Sequence, residues 1–336
     1  MTLHQSRLFI SLLIFLPICC INAQTNRRPY TDHHVHLQDS ATIHLGFRLR
    51  SAFGEPSTKM DSLILDADTL IERLNGAGFE KAWILSNAYW FGSPFTQVEN
   101  EYERVKEQND WIAEQAARYP ERLDAFMSIN PLKPYALKEI QRCADSHNFV
   151  GIKVHLANSK IDLSDDAHLS QLQNVFTLAA KNQLILLLHF RNDKDWNGKA
   201  NTEILLKQLL PFAKDSRIVL AHMGGWGGFD KATDKALNRF RKYLKKKRYS
   251  ATNIYFDLSA VVPTRGSEEL QSTKPKSGWN AEAALKKRIN QIGPSHILFG
   301  TDFPINEIDA YVQQLESALG TSTLQAILKN NVDRSH

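Results

Sequence analysis

Short apolar runs recur along this chain at nearly regular intervals, each followed by a longer segment of helical spacing. That alternation limits the accessible folds more than any other feature of the sequence. The runs are YTDHHVHL (Tyr30 to Leu37), KAWILSN (Lys81 to Asn87), LDAFMSIN (Leu123 to Asn130), FVGIKVHL (Phe149 to Leu156), LILLLHF (Leu184 to Phe190), RIVLAHM (Arg217 to Met223), IYFDLSA (Ile254 to Ala260) and HILFGTD (His296 to Asp302). Ile, Val, Leu and Phe occupy both faces of these runs, as in parallel strands covered on both sides. The intervening pattern predicts helices over 66–77, 100–119, 170–181, 202–214, 281–292 and 310–329. About eight β-then-α units with no internal linker point to an α/β fold, the (β/α)8 TIM barrel. A doubly wound sheet is the competing arrangement, but no glycine-rich phosphate loop follows the first run.

Residues 1–23 stand apart from this pattern. Arg7 precedes an apolar stretch from Leu8 to Ile21, and a small residue follows at Ala23. The segment reads as a cleaved secretory signal, which leaves 24–336 as one barrel domain and places it in a secreted or periplasmic setting. It is too short and too lightly flanked to read as a membrane span. Lipidation at Cys19 or Cys20 is disfavoured because Pro17 and Ile18 are not the small residues such a site needs. The mature chain keeps only Cys143, so no intrachain disulfide is expected. The net charge of +5 is mild for 336 residues. Its densest stretch, KYLKKKRY (Lys242 to Tyr249), reads as a solvated helix face, so no nucleic-acid partner is expected. A small molecule is the expected partner, and nothing in the sequence forbids a homodimer.

The chemistry gathers at the C-terminal ends of the runs. In TDHHVHLQDS, strand alternation puts Asp32, His34 and His36 on one face and His33 on the other. Two imidazoles on one rigid strand can meet one cation. His189, His222 and Asp302 likewise close apolar runs, at the edge where barrel enzymes place catalytic groups. A lone histidine at such a place is more often a packed core residue, and Asp302 alone would fit a helix cap. Several strands ending in His or Asp at one edge point instead to a metal site.

These motifs resemble the amidohydrolase superfamily. Asp-x-His-x-His on the first strand, Gly-Ile-Lys-Val-His on the fourth, a terminal His on the fifth, Ala-His-Met-Gly-Gly on the sixth and Phe-Gly-Thr-Asp-Phe-Pro on the eighth carry the likeness. RYPERLDAFMSINP (Arg118 to Pro131) adds to it. The sequence is most similar to the amidohydrolase-related branch, which includes aminocarboxymuconate-semialdehyde decarboxylase and pyrone-dicarboxylate lactonase. The resemblance implies one divalent metal, usually zinc, held by His34, His36, His189 and Asp302, with His222 as an acid/base or substrate-polarising residue. It also leaves a binuclear arrangement open, in which a carbamylated Lys153 bridges two metals and His222 joins the ligands. His155 shares a face with Lys153 and is a candidate pocket residue.

Three functions remain in play. The main expectation is a metal-dependent hydrolase, with a metal-bound water and Asp302 as its base, cleaving an amide, ester or lactone. The rival is a non-oxidative decarboxylase with the same metal set. The third is a catalytically silent barrel that binds a ligand. Two long connections, 38–65 and 262–279, are expected as loops on the catalytic face. In decarboxylase relatives an arginine of the first connection meets a substrate carboxylate, which makes Arg48 and Arg50 candidates for that contact. The second carries Arg265.

Overall fold

Each apolar run becomes a strand. They are β1 (Arg28–Val35), β2 (Phe79–Leu85), β3 (Leu123–Ser128), β4 (Phe149–His155), β5 (Ile185–His189), β6 (Ile218–Leu220), β7 (Ile254–Asp257) and β8 (Ile297–Leu298). They pair in chain order, all parallel, in one eight-stranded sheet. The sheet closes through His33 N–H to Phe299 O (2.9 Å), Asp302 N–H to His34 O (2.9 Å) and His36 N–H to Phe303 O (2.8 Å). This is the expected (β/α)8 barrel. The computed structural model describes residues 28–54, 62–192, 196–246, 253–262 and 279–332. The proposed signal segment, Lys247 to Tyr249 and Arg265 lie outside the described residues. No helix among the described residues is long and apolar enough to cross a membrane.

Side-chain parity on the strands separates two apolar layers. On β5, Ile185 and Leu187 join an inner cluster with Trp83, Phe126, Val219 and Leu298, while Leu186 and Leu188 face an outer layer shared with the helices. Such alternation follows from the two-residue repeat of a strand. Lys153 is paired with Leu187, and His155 with His189, so these polar groups continue the inner parity above the apolar floor.

The helices differ from expectation where a local device was overlooked. The first long connection contains α1 (Ser40–Phe53) rather than a loop. Asp39 caps it by accepting from Thr42 N–H at 2.8 Å, Thr42 Oγ1 accepts from Asp39 N–H at 3.0 Å, and Gly54 ends it at φ 68°. This reciprocal capping box starts a helix whose apolar spacing is faint. Helices α2 (Ala67–Ala77), α3 (Glu101–Ala117) and α5 (Asp166–Lys181) fall near their expected places, and α4 (Ala136–Asp145) was not anticipated.

The helix expected over 202–214 becomes α6 (Gly198–Ile204), a π-helical turn (Leu205–Leu209) and α7 (Leu210–Ala213). Pro211 supplies no N–H to the ladder there, which accounts for the break. Helix α8 (Lys231–Lys246) exposes Lys242, Lys245 and Lys246 while burying Leu244, the solvated face read from the sequence. Helix α9 (Ala281–Ile292) matches its expected bounds. The last expected helix splits into α10 (Ile308–Leu319) and α11 (Thr321–Leu328) at Gly320, whose φ of 86° suits glycine.

Gly151 on β4 is the most tightly enclosed of the described glycines. A Cβ there would lie 2.2 Å from Phe126 Cε1 and 2.6 Å from the Ile185 carbonyl oxygen. Phe126 and the β5 backbone cannot both give way without disturbing the inner layer. Gly151→Ala should therefore cost roughly 1–3 kcal/mol through overpacking, read as a lowered urea midpoint against the wild-type chain.

Candidate metal centre

Three side chains converge above the apolar floor. His34 and Asp257 are joined by Nδ1 to Oδ2 at 2.9 Å, and His36 Nδ1 donates to Leu85 O at 3.2 Å. With both Nδ1 atoms engaged, the two Nε2 atoms face Asp302 Oδ1, at 3.4 Å from His34 and 3.7 Å from His36. The three potential ligand atoms lie within 4.8 Å of one another. Two ligands each about 2.1 Å from a cation at the tetrahedral angle would stand about 3.4 Å apart, so the spacing fits a metal. Nitrogen and carboxylate donors suit a divalent transition ion. Outward Nδ1 atoms engaged by a carboxylate and a carbonyl are the usual way such ligands are oriented.

The next ring out is continuous. Ring centroids run from Tyr89 to His155 at 5.3 Å, His155 to His189 at 3.8 Å, His189 to His222 at 4.9 Å, His222 to His34 at 5.1 Å and His34 to His36 at 5.3 Å. Trp226 stands edge-on to His189 at 5.3 Å and also touches Phe53 of α1. His189 lies outside the three-residue cluster, and its buried Nε2 has no hydrogen-bond partner among the described residues. A buried, unpartnered nitrogen is costly unless something binds it, so this atom also fits a fourth ligand.

His222 and Asp302 depart from regular backbone geometry. Both occupy the left-handed region, with φ of 54° and 62°. For residues with a Cβ this costs of order 1–3 kcal/mol each, strain that is held by surrounding bonds and recurs at functional sites. The holding bonds are His222 N–H to Asp257 Oδ1 at 2.9 Å and Asp302 N–H to His34 O at 2.9 Å.

Burial dominates the local electrostatics. It lowers His36 to about 3, with the neighbouring Lys153 and His34 acting in the same direction. It also carries His155 and His189 well below the usual histidine value and His222 below it. Lys153 is pushed down to about 8 by burial, against the attraction of Asp302 and Asp257, and its Nζ lies 3.1 Å from His34 Nε2. Burial raises Asp302, but the facing His34, His222, His36 and Lys153 hold its carboxyl below the ordinary range.

The structure places the remaining candidates as follows. His155 lies in the ring belt between Tyr89 and His189, its Nδ1 accepting from Asn158 N–H at 3.2 Å. Arg48 and Arg50 lie on helix α1, not on a loop. Two residues apart on a helix is about 200°, so they point to opposite sides. Arg48 is exposed, whereas Arg50 is half-buried and sits one turn before Phe53, the residue that meets Trp226. His33 is turned outward, bonded to Phe299 O at 2.9 Å and Asn331 Oδ1 at 3.2 Å.

Sequence reasoning overlooked Asp257, Ser259, Tyr89 and Trp226. Asp257 puts a charge in the middle of the run IYFDLSA, where the strand itself ends, and that was its available signal. Trp226 stands between paired glycines in GGWGG, a pattern of turns rather than packing. Tyr89 carried no signal.

The comparisons agree with this geometry. A family model described as Amidohydrolase matches residues 31–332. No curated protein matches the chain. Among solved structures, 2,6-dihydroxybenzoate decarboxylase from Rhizobium is similar at 18% identity and a TM-score of 0.61, over 90% of this chain and 96% of that one. A 5-carboxyvanillate decarboxylase from Novosphingobium aromaticivorans, complexed with manganese and 4-hydroxy-3-methoxy-5-nitrobenzoic acid, is similar at 15% and 0.61, over 91% and 95%. A probable 2-pyrone-4,6-dicarboxylic acid hydrolase from Acinetobacter baumannii, with citric acid bound, is similar at 15% and 0.52, over 90% and 96%. At such identities the likeness concerns the fold.

Elemental analysis tests the cluster directly. Protein loaded with manganese or zinc and then desalted should retain about one ion per chain. His34→Ala, His36→Ala and Asp302→Ala should each lose most of it, while His222→Ala should keep it. A wild-type chain that never holds metal would leave only the binding-protein reading.

Proposed function

The chain belongs to the amidohydrolase family, and on that premise we propose that it is a metal-dependent decarboxylase of a small, planar carboxylic acid. The observation that carries this reading is the belt of rings beside the metal donors. Tyr89, His155, His189 and Trp226 set aromatic rings beside the donors, surroundings that suit an aromatic or unsaturated acid. The names of two of the structural neighbours, which are decarboxylases, support the same choice. Hydrolysis of a lactone or ester is the second reading, favoured by the hydrolase neighbour.

His34, His36 and Asp302 would hold the divalent ion, with His189 Nε2 as a further donor. When bound, the ion supplies positive charge that polarises a substrate oxygen. Manganese and zinc both suit this donor set. The net reaction breaks one carbon–carbon bond, releases carbon dioxide and adds one proton at the carbon left behind. His222 is the group placed to carry that proton: its Nδ1 donates to Ser259 O at 2.8 Å, which leaves Nε2 for proton transfer. Burial keeps bulk water away from this exchange, which decarboxylation does not consume.

Arg50 is assigned the substrate carboxylate and Arg48 is not, because Arg50 is half-buried one turn before Phe53, which meets Trp226, whereas Arg48 is exposed. A guanidinium fork matches a carboxylate through paired bonds. Export through cleavage near Ala23 remains part of the proposal, and N-terminal sequencing of the secreted chain tests it.

A panel of aromatic acids, lactones and esters offered to the metal-loaded enzyme separates the two reactions. In heavy water, decarboxylation should give carbon dioxide and a product with one deuterium on carbon. In oxygen-18 water, hydrolysis would instead place labelled oxygen from the solvent in the product, and that result would reverse the choice. On the accepted substrate, Arg50→Lys should lower kcat/KM by about ten- to hundredfold, the loss of one charge-assisted contact. Arg48→Lys should change it less than about twofold, as expected of a solvated surface charge.

A further inference from the structure

We propose that Asp257 is a positioning residue that sets the ring orientation of two functional histidines at once: the ligand His34 and the proton carrier His222. The inference rests on the metal-site reading above and adds a residue that neither the metal cluster nor the ring belt contains.

One buried carboxylate serves both histidines. Asp257 Oδ2 meets His34 Nδ1 at 2.9 Å. Its Oδ1 accepts from His222 N–H at 2.9 Å and from Ser259 N–H at 3.1 Å, and also from the Ser259 hydroxyl. Ser259 then continues the contact, because its carbonyl oxygen accepts from His222 Nδ1 at 2.8 Å. Its hydroxyl lies 3.0 Å from both Nδ1 atoms.

The acceptors fix where the ring protons sit. A carboxylate and a carbonyl can only accept, so the Nδ1 of each histidine must carry the proton. The other edge of His34 agrees, since Lys153 Nζ approaches Nε2 at 3.1 Å as a donor. Both Nε2 atoms therefore present lone pairs, the form that can bind a cation on His34 and accept a proton on His222. The same carboxylate also holds the left-handed backbone of His222, whose N–H would otherwise have no acceptor at that turn. Asp257 thus ties the metal-binding strand to the proton-carrying loop from the far end of β7.

Asp257→Asn separates this role from bulk packing. The amide keeps the shape and keeps an oxygen for His222 N–H and Ser259 N–H, but it offers His34 a donor in place of an acceptor. His34 would have to move its proton to Nε2, and that nitrogen could no longer ligate. Manganese or zinc affinity, measured by chelator competition on the full chain, should fall about 10–100-fold, with the melting midpoint of the metal-free protein little changed. The visible absorption of added cobalt should shift in the same variant. Isotope-labelled histidine NMR on metal-free wild type reads the tautomers independently, and His34 and His222 should both carry the proton on Nδ1. Wild-type affinity in a folded Asp257→Asn, or a wild-type His34 protonated only at Nε2, would overturn the proposal. If the variant fails to fold, the wild-type NMR result decides. Wild type that binds no metal but shows both Nδ1 tautomers would sink the metal-site reading and leave the positioning role standing.

Discussion

Between β1 and the chain that follows β8, a short row of hydrogen bonds closes the barrel, and the site exists only because that seam is in register. His34 and His36 enter from one side of it and Asp302 from the other. Asp32 fastens the seam from inside, its carboxylate accepting from His34 N–H at 3.1 Å, Thr301 N–H at 3.0 Å and Thr301 Oγ1 at 2.6 Å. Burial raises its pKa to about 7 against those bonds, so the environment tolerates this charge only while the donors are in place. A slip of one residue along β1 would send His34 and His36 outward and bring His33 in. Gly300 shows how close the two chains approach, since a Cβ there would lie 3.0 Å from His34 Cβ.

The seam explains why β8 is shorter than its apolar run, and a turn does the same for β6. Past Leu298 the chain stops extending the β7 ladder and gives its N–H groups to Asp32 and to the β1 carbonyl of His34. Past Leu220 the backbone turns left-handed at His222 and Met223. Regular strand geometry would point these side chains alternately in and out. The irregular turns instead aim His222 and Asp302 at the place where His34 and His36 already point.

This division also sets what could be read without coordinates. Strand parity alone placed His34 and His36 together and His33 apart, and that alternation survives although the pairing of β1 with β2 shifts register between Asp32 and Val35. The run ends flagged His189, His222 and Asp302 as polar groups at one edge, but parity could not foretell the turns that orient the last two. Nor could it show that His189 stands outside the tight cluster of three, stacked on His155. Helix α1 was hidden because its start depends on the Asp39 and Thr42 capping pair rather than on apolar spacing, and reading a loop there left Arg48 and Arg50 as equal candidates for one contact. On a helix they diverge. Asp257 escaped notice because it forms no motif, and its role depends on partners 223 residues away at His34 and 35 away at His222.

The buried charges bear on what the site can hold. Asp257 is kept ionised by His34 and by the bonds from His34 and Ser259, which outweigh the upward push of burial, and Asp302 is likewise held below its ordinary range. Lys153, pushed down to about 8 by burial, faces them. Two carboxylates facing one ammonium concentrate negative charge where burial makes it expensive, and Asp32 adds a third carboxyl on the strand that carries the histidine donors. A divalent ion held by His34, His36 and Asp302 would offset that excess. Charge balance and donor spacing are thus separate physical grounds for reading the cluster as a cation site.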